Sequence, residues 1–252
     1  MNGPKLALIT IVGIFYVFVI VSTMPLRMDI IKRHEINDHA KKVEREIYIA
    51  SQTYQAMLAD PNTDPVKLND QREKLALATW QNRDFINAVQ LIQRVVDERA
   101  KVKDMSNYDK KWEGSMLNLA GVYRDVNNWA MAKMMYNQIL EYDRIFADKK
   151  SEYKNKIARD KNNIGLILYL EGQGEQEGPK RTKLMKDAEV ELKEAIKLWR
   201  ETKGPDSISE GNTLWNLYLV QRDLGNWDMA QETKNKAIAI DDKANRKVKA
   251  PI

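Results

Sequence analysis

The sequence predicts an all-α protein: a solenoid of about four helix hairpins, preceded by a membrane-spanning helix and an amphipathic cap or linker helix. Three observations carry this. One stretch occurs twice, 98 residues apart: residues 117–132 and 215–230 share Asn-Leu and then Arg-Asp-x-x-Asn-Trp-x-Met-Ala. Halfway between them, Asn163-Ile164-Gly165-Leu166-Ile167-Leu168-Tyr169-Leu170-Glu171-Gly172 repeats the first part of the pattern. Self-similarity at such a period marks stacked repeats, each with an apolar face that its neighbours must cover. The composition agrees: 252 residues with 11 glycines, 7 prolines and 31% charged side chains suit helices with solvated faces.

Residues 1–27 hold the expected transmembrane anchor. From Leu6 to Met24 nineteen residues carry no charge, and as a helix they reach about 28 Å, close to a ~30 Å hydrocarbon core. The apolar region of a cleaved signal is shorter and ends in small residues; Val21-Ser22-Thr23-Met24-Pro25 is a poor cleavage site. The expectation is a single-pass membrane protein in contact with lipid through residues 6–24. Charge leaves its orientation open. Lys5 stands before the run and Arg27, Lys32 and Arg33 after it, which by the positive-inside rule points to a cytoplasmic domain. Single N-terminal anchors that keep a short tail inside export the rest of the chain, and this tips the expectation toward an extracytoplasmic domain.

Residues 28–60 are expected as an amphipathic juxtamembrane helix. Ile36, Ala40, Val43, Ile47, Ala50, Tyr54 and Met57 follow a heptad spacing. This seam can cap the first repeat, as solenoid ends require, or form a homodimer through residues 36–57; the cap is the favoured role. Asp64 is placed to N-cap the next helix, with Pro65 at its first position.

The solenoid is expected over residues 66–240, in hairpins of about 66–103, 107–148, 151–203 and 206–240. Their cores are Leu75, Ala76, Phe85, Ala88, Ile92 and Val95; then Leu119, Ala120, Tyr123, Trp129, Ala132, Tyr136 and Ile139. Next come Ile164, Gly165, Leu168, Ala188, Leu192 and Ala195, and last Leu217, Tyr218, Trp227, Ala230 and Ala237. The second-helix alanines 88, 132, 188 and 230 step by 44, 56 and 42 residues. Small residues let backbones approach, and Tyr123, Trp129 and Trp227 are expected to fill the gaps. The long second step, which leads into the third hairpin, is assigned to a lengthened second helix beginning at Pro179, because Leu184, Ala188, Leu192, Ala195 and Trp199 keep a helical period. Its basic start, Lys180, Arg181 and Lys183, is expected as a solvated helix end. Residues 241–252 are expected as a basic flexible tail.

These residues resemble the tetratricopeptide (TPR) repeat family. The likeness lies in the leucine–small–aromatic triplet of each first helix, the Gly/Asn turn, and the alanine and aromatic of the second. The spacing near 42 and Gly204-Pro205-Asp206 ahead of Leu214-Trp215-Asn216-Leu217 are similar to kinesin-light-chain-type repeats. Arg83 departs from the pattern, standing where a turn Gly or Asn is expected. The resemblance implies a right-handed superhelix whose first helices line a concave groove for a peptide or protein.

On that groove the candidate binding residues are Asn118, Asn163 and Asn216, at one place in three successive first helices, with Arg124, Tyr169 and Arg222 about two turns on. An amide can donate to and accept from a peptide backbone at once, and the arginines would select an acidic peptide. The same asparagines could instead bond neighbouring helices. The expected function is therefore a membrane-anchored scaffold or adaptor. The alternative is a structural subunit that oligomerises through the juxtamembrane helix or stacked repeats.

Other chemistry finds little support. With no cysteine there is no thiolate site. His34 and His39 are five apart, about 140° around a helix, and cannot share a metal as HExxH histidines do. Asp60-x-Asn62-x-Asp64 begins like a calcium loop but has Pro65 in place of the glycine and Gln71 in place of the glutamate. Net charge +5 on mixed signs gives no nucleic-acid stripe. No catalytic, cofactor-binding or metal-ligating residue is assigned, and no enzyme is expected.

Overall fold

The structure is a computed structural model that describes residues 38, 40–103, 107–147 and 153–249. Every regular element among them is a helix. The run 6–24 lies outside the described residues, and so does Ile36 of the heptad. Among the described residues no helix is long and apolar enough to cross a membrane. The chain divides into two compact units, residues 1–84 and 85–252.

The first unit contains α1 (40–59) and α2 (Pro65–Gln81). Asp64 caps α2 as its sequence suggests: its Oδ1 accepts from the Val66 N–H at 2.8 Å, ahead of Pro65. Val43, Ala50 and Tyr54 of the heptad seam are buried within the chain itself. Two bonds tie α1 to α2, from Gln71 Nε2 to the Ala50 carbonyl at 3.1 Å and from Arg72 Nε to the Tyr54 hydroxyl at 3.2 Å. Ile47 and Met57 of the same seam are half-buried and Ala40 is exposed, so part of the seam is spent on packing within the chain.

The second unit contains α3 (Phe85–Val102), α4 (Lys110–Asp125), α5 (Trp129–Ala147), α6 (Lys154–Gly174), α7 (Pro179–Lys203), α8 (Ile208–Asp223) and α9 (Trp227–Lys249). Each helix packs on the next, and α6 also touches α8. The hairpins are α4/α5, α6/α7 and α8/α9. Ala120, Ala132, Ala188, Ala195, Ala230 and Ala237 are all buried at the crossings. At Gly165 a methyl group would stand 2.7 Å from Leu192 Cγ and 3.3 Å from the Ala188 carbonyl oxygen, so α6 and α7 meet there as closely as a missing side chain permits.

The turns after α2, α4 and α8 share one geometry. Arg83, Asn127 and Gly225 have φ of 61°, 59° and 79°, and each donates its N–H to a carbonyl three residues back. Arg83, the departure from the repeat pattern, therefore makes the same turn, in a region that costs a non-glycine residue ~1 kcal/mol or more.

The lengthened α7 is as expected. Sixteen residues separate Gly172 from Ala188, against five from Asn127 to Ala132, and the excess is taken up by the first turns of α7 and the end of α6. Two expectations are corrected. The segment from Asp241, expected as a flexible tail, continues α9 to Lys249; no glycine or proline interrupts it before Pro251, and Asp241 accepts from Trp215 Nε1 at 2.8 Å. Trp227 fills no gap and is 66% exposed. Its counterpart Trp129 is half-buried beside Gly174 at the end of α6.

Candidate functional site

The three asparagines stand half-buried on α4, α6 and α8, the first helices of successive hairpins. Asn216 spends its amide within the fold, donating from Nδ2 to Asn162 Oδ1 at 3.0 Å across the α6–α8 junction. Arg124 and Arg222 lie on the last turns of α4 and α8, each held by the aspartate that follows. Arg124 Nε and Nη2 donate to Asp125 Oδ1 at 2.9 and 2.8 Å, and Arg222 Nε to Asp223 Oδ1 at 2.8 Å.

Tyr169 corrects its expectation as a groove residue. It is 8% exposed and belongs to the core formed with Leu192, Leu214 and Leu217. Its hydroxyl donates to Asp223 Oδ2 at 3.0 Å; burial first, then the Asp223 carboxylate, pushes that hydroxyl's pKa up. The cause is helix length. Arg124 and Arg222 stand one residue from their helix ends, but α6 runs five residues beyond Tyr169, to Gly174.

The cleft between first helices lies about two to four turns earlier along α6 and α8. A cavity of about 500 Å³ is lined by Asn155, Lys156, Arg159 and Asn162 of α6, Trp199 and Lys203 of α7, and Ser209, Asn212 and Thr213 of α8. Its lining holds three cations, three amides and two hydroxyls, and no carboxylate. Thr213 accepts from Trp199 Nε1 at 3.2 Å, and Ser209 accepts from Lys203 Nζ at 2.9 Å. The Lys203 ammonium sits 4.5 Å from the Trp199 ring centroid. Asn155 Oδ1 is buried without a hydrogen-bond donor. None of the six sequence candidates lines this cleft; Asn216 reaches it through Asn162.

The cations of the cleft are held from behind. Glu113 of α4 accepts from Lys156 Nζ at 2.7 Å and from Arg159 Nη1 at 2.5 Å. Arg159 Nη2 also reaches Asp143 Oδ2 of α5 at 3.0 Å and Asp160 Oδ1 at 2.7 Å. Asp143 Oδ1 accepts from the Tyr108 hydroxyl at 2.5 Å. Burial opposes ionisation of Glu113, but Arg159 and Lys156 overcome it and hold this carboxyl below its usual range. Burial raises Asp143. It pushes Asp160 up to about 8, Arg159 opposing the rise and Asp143 adding to it.

An aromatic corner closes the network. Tyr108 stacks on Tyr153 at 4.6 Å and meets Tyr142 and Phe146, each at 5.2 Å. The Lys103 ammonium lies 3.6 Å from the Trp112 ring centroid, at one end of an open groove of about 740 Å³ along α5.

With this geometry in place, the fold is similar to several solved structures. A variant form of a Podosopora anserina kinesin light chain protein with nearly identical TPR-like repeats shares 17% identity over 86% of this chain and 94% of its own, with a TM-score of 0.65. BtubC (BKLC) from P. vanneervenii shares 22% over 79% and 73%, with a TM-score of 0.59. The apo form of RapI shares 18% over 81% and 67%, with a TM-score of 0.62. The chain thus has a TPR-like repeat fold. No protein-family model and no curated protein matches its sequence.

Proposed function

We propose that the protein is a protein-interaction scaffold that holds an acidic segment of a partner protein in the cleft between α6 and α8. The observation that carries this is the lining: Lys156, Arg159 and Lys203 beside Asn155, Asn162 and Asn212, with no carboxylate among them. Cations attract and select the acidic side chains, and amides pair with the extended backbone. Asn163 follows Asn162 on α6, Asn118 stands on the first helix of the preceding hairpin, and Arg124 and Arg222 stand on the last turns of α4 and α8, as further candidate contacts. The right-handed superhelix implied by the family resemblance puts these first helices on the concave side. The test is fluorescence anisotropy of the full chain with a labelled octaglutamate peptide and an octalysine control. Octaglutamate is expected to bind and octalysine not to. Equal binding of both, or of neither, rejects the reading.

The scaffold reading includes a membrane tether through residues 6–24, supported by their uncharged run, with the extracytoplasmic side favoured. Carbonate-washed membranes are expected to retain the full-length protein, and removal of residues 1–27 to release it. A mature N-terminus near residue 24 rules the tether out.

A further inference from the structure

The buried cluster behind the cleft has an uneven charge count. Three carboxylates, Glu113, Asp143 and Asp160, face two cations, Lys156 and Arg159. One nitrogen, Arg159 Nη2, donates to both aspartates, so their carboxyl groups meet across a single atom. Both aspartates are 0% exposed. Asp143 is bonded through both oxygens, to Tyr108 and to Arg159. Asp160 is not: Oδ1 accepts from Arg159, while Oδ2 is buried and meets no donor.

An ionised carboxylate in that position is poorly compensated, because the group is fully buried and no N–H or O–H of the surrounding residues reaches its second oxygen. A proton on Oδ2 changes the chemistry, since the group then donates a hydrogen bond and its neighbour Asp143 is the acceptor. We propose that Asp160 and Asp143 share one proton in the folded protein, carried by Asp160, and that this proton neutralises the five-residue cluster and locks α4, α5 and α6 together.

The groups facing the pair support this assignment. Tyr108, ahead of α4, donates to Asp143 and spares it from needing the proton. Glu113 of α4 is engaged by Lys156 and Arg159 together and stays ionised. From α5, Tyr136 lies near Asp160 as a neutral phenol, its pKa raised by burial. Of the two aspartates, the one raised to about 8 is Asp160, the one with the unsatisfied oxygen.

The linkage has a definite sign. An aspartate near 4 in the unfolded chain and near 8 in the folded one binds its proton more tightly in the native state. Its stabilisation is complete below about pH 4, is lost progressively as pH rises toward 8, and is gone above that.

The test uses the full chain with aspartate labelled at the carboxyl carbon. One resonance, absent from Asp160→Asn, is expected to titrate with a midpoint near pH 8, well above the ordinary range near 4. An Asp160 resonance with its midpoint below about pH 5 overturns the proposal. Urea unfolding between about pH 5 and 9 gives a second readout. Wild type should lose stability across the lower part of that range. Asp160→Asn should lose less, because its amide keeps the acceptor for Arg159 and donates permanently to Asp143. Equal pH slopes in the two proteins overturn the proposal as well. If Asp160→Asn does not fold, Asp143→Asn takes its place. Its pH slope in urea should also be smaller than that of wild type. The resonance that titrates near pH 8 in wild type should remain but with a lower midpoint, because the neighbouring carboxylate is gone. An unchanged slope and midpoint overturn the proposal.

Discussion

The two junctions that join successive hairpins of the second unit are built from different interactions. Where α6 meets α4 and α5, the contact is ionic and aromatic: Arg159 reaches three carboxylates from three helices, beside the stacked rings of Tyr108, Tyr142, Phe146 and Tyr153. Where α8 meets α6 and α7, the contact is mainly apolar, with a polar edge that includes one ion pair to a buried carboxylate, Arg200 with Glu210 at 2.6 Å. Leu214, Leu217 and Val220 pack with Leu192 and Ile196, and Asn216 bonds Asn162. The same repeat can therefore close on its neighbour by charge or by apolar area. The ion-rich junction is the one whose strength should change most with pH, because burial of ions must be offset by pairing while burial of leucine need not be.

The largest effect is expected from breaking the ionic junction. Arg159→Met leaves Asp143 and Asp160 buried without their cation and should cost about 3–5 kcal/mol in urea unfolding at pH 7. The loss should shrink toward about pH 5, as the stranded carboxyl groups take up protons. Next comes the apolar junction. Leu217→Ala removes a buried side chain and should cost about 2–4 kcal/mol, with the same value in mild acid and mild base. A strong pH dependence for Leu217→Ala, or none for Arg159→Met, would erase the distinction. A smaller loss is expected for Tyr169→Phe, which deletes one hydroxyl donor to Asp223 while Gln173 and Arg222 still contact that carboxylate; about 0.5–1.5 kcal/mol is appropriate.

Much of this architecture is legible in the sequence. The doubled Arg-Asp-x-x-Asn-Trp-x-Met-Ala stretch fixes two turns, Asp64-Pro65 fixes the start of α2, and the period through Leu184 and Trp199 reveals the length of α7. These features are local, so the chain states them directly. Side-chain depth is not local. Repeat alignment puts Tyr169 level with Arg124 and Arg222, yet the extra turn of α6 carries it into the core. Trp227 matches Trp129 in the repeat, yet Trp129 lies half-buried beside Gly174 of α6 while Trp227 stands exposed.

The cleft escapes a sequence reading for a related reason. Lys156, Arg159, Asn162, Lys203 and Asn212 come from three helices and read in sequence as ordinary solvated charge. One signal is available. Asp143 interrupts the stripe Ala132, Tyr136, Ile139, Phe146, and Asp160 begins the stripe Ile164, Ile167. An acid on an apolar stripe needs a buried partner, and Arg159 is that partner.

The scaffold reading is tested most directly by the charge of the cleft. Lys203 is the cation best suited, because its partners are the Ser209 hydroxyl and the Trp199 ring rather than a buried carboxylate. The measurement is the affinity of octaglutamate for the full chain and for Lys203→Glu, with melting temperature recorded for both. Lys203→Glu is expected to weaken binding about tenfold, or ~1.4 kcal/mol, with the melting temperature nearly unchanged. Undiminished affinity in a folded Lys203→Glu protein would contradict the assignment of this cleft as the acidic-segment site.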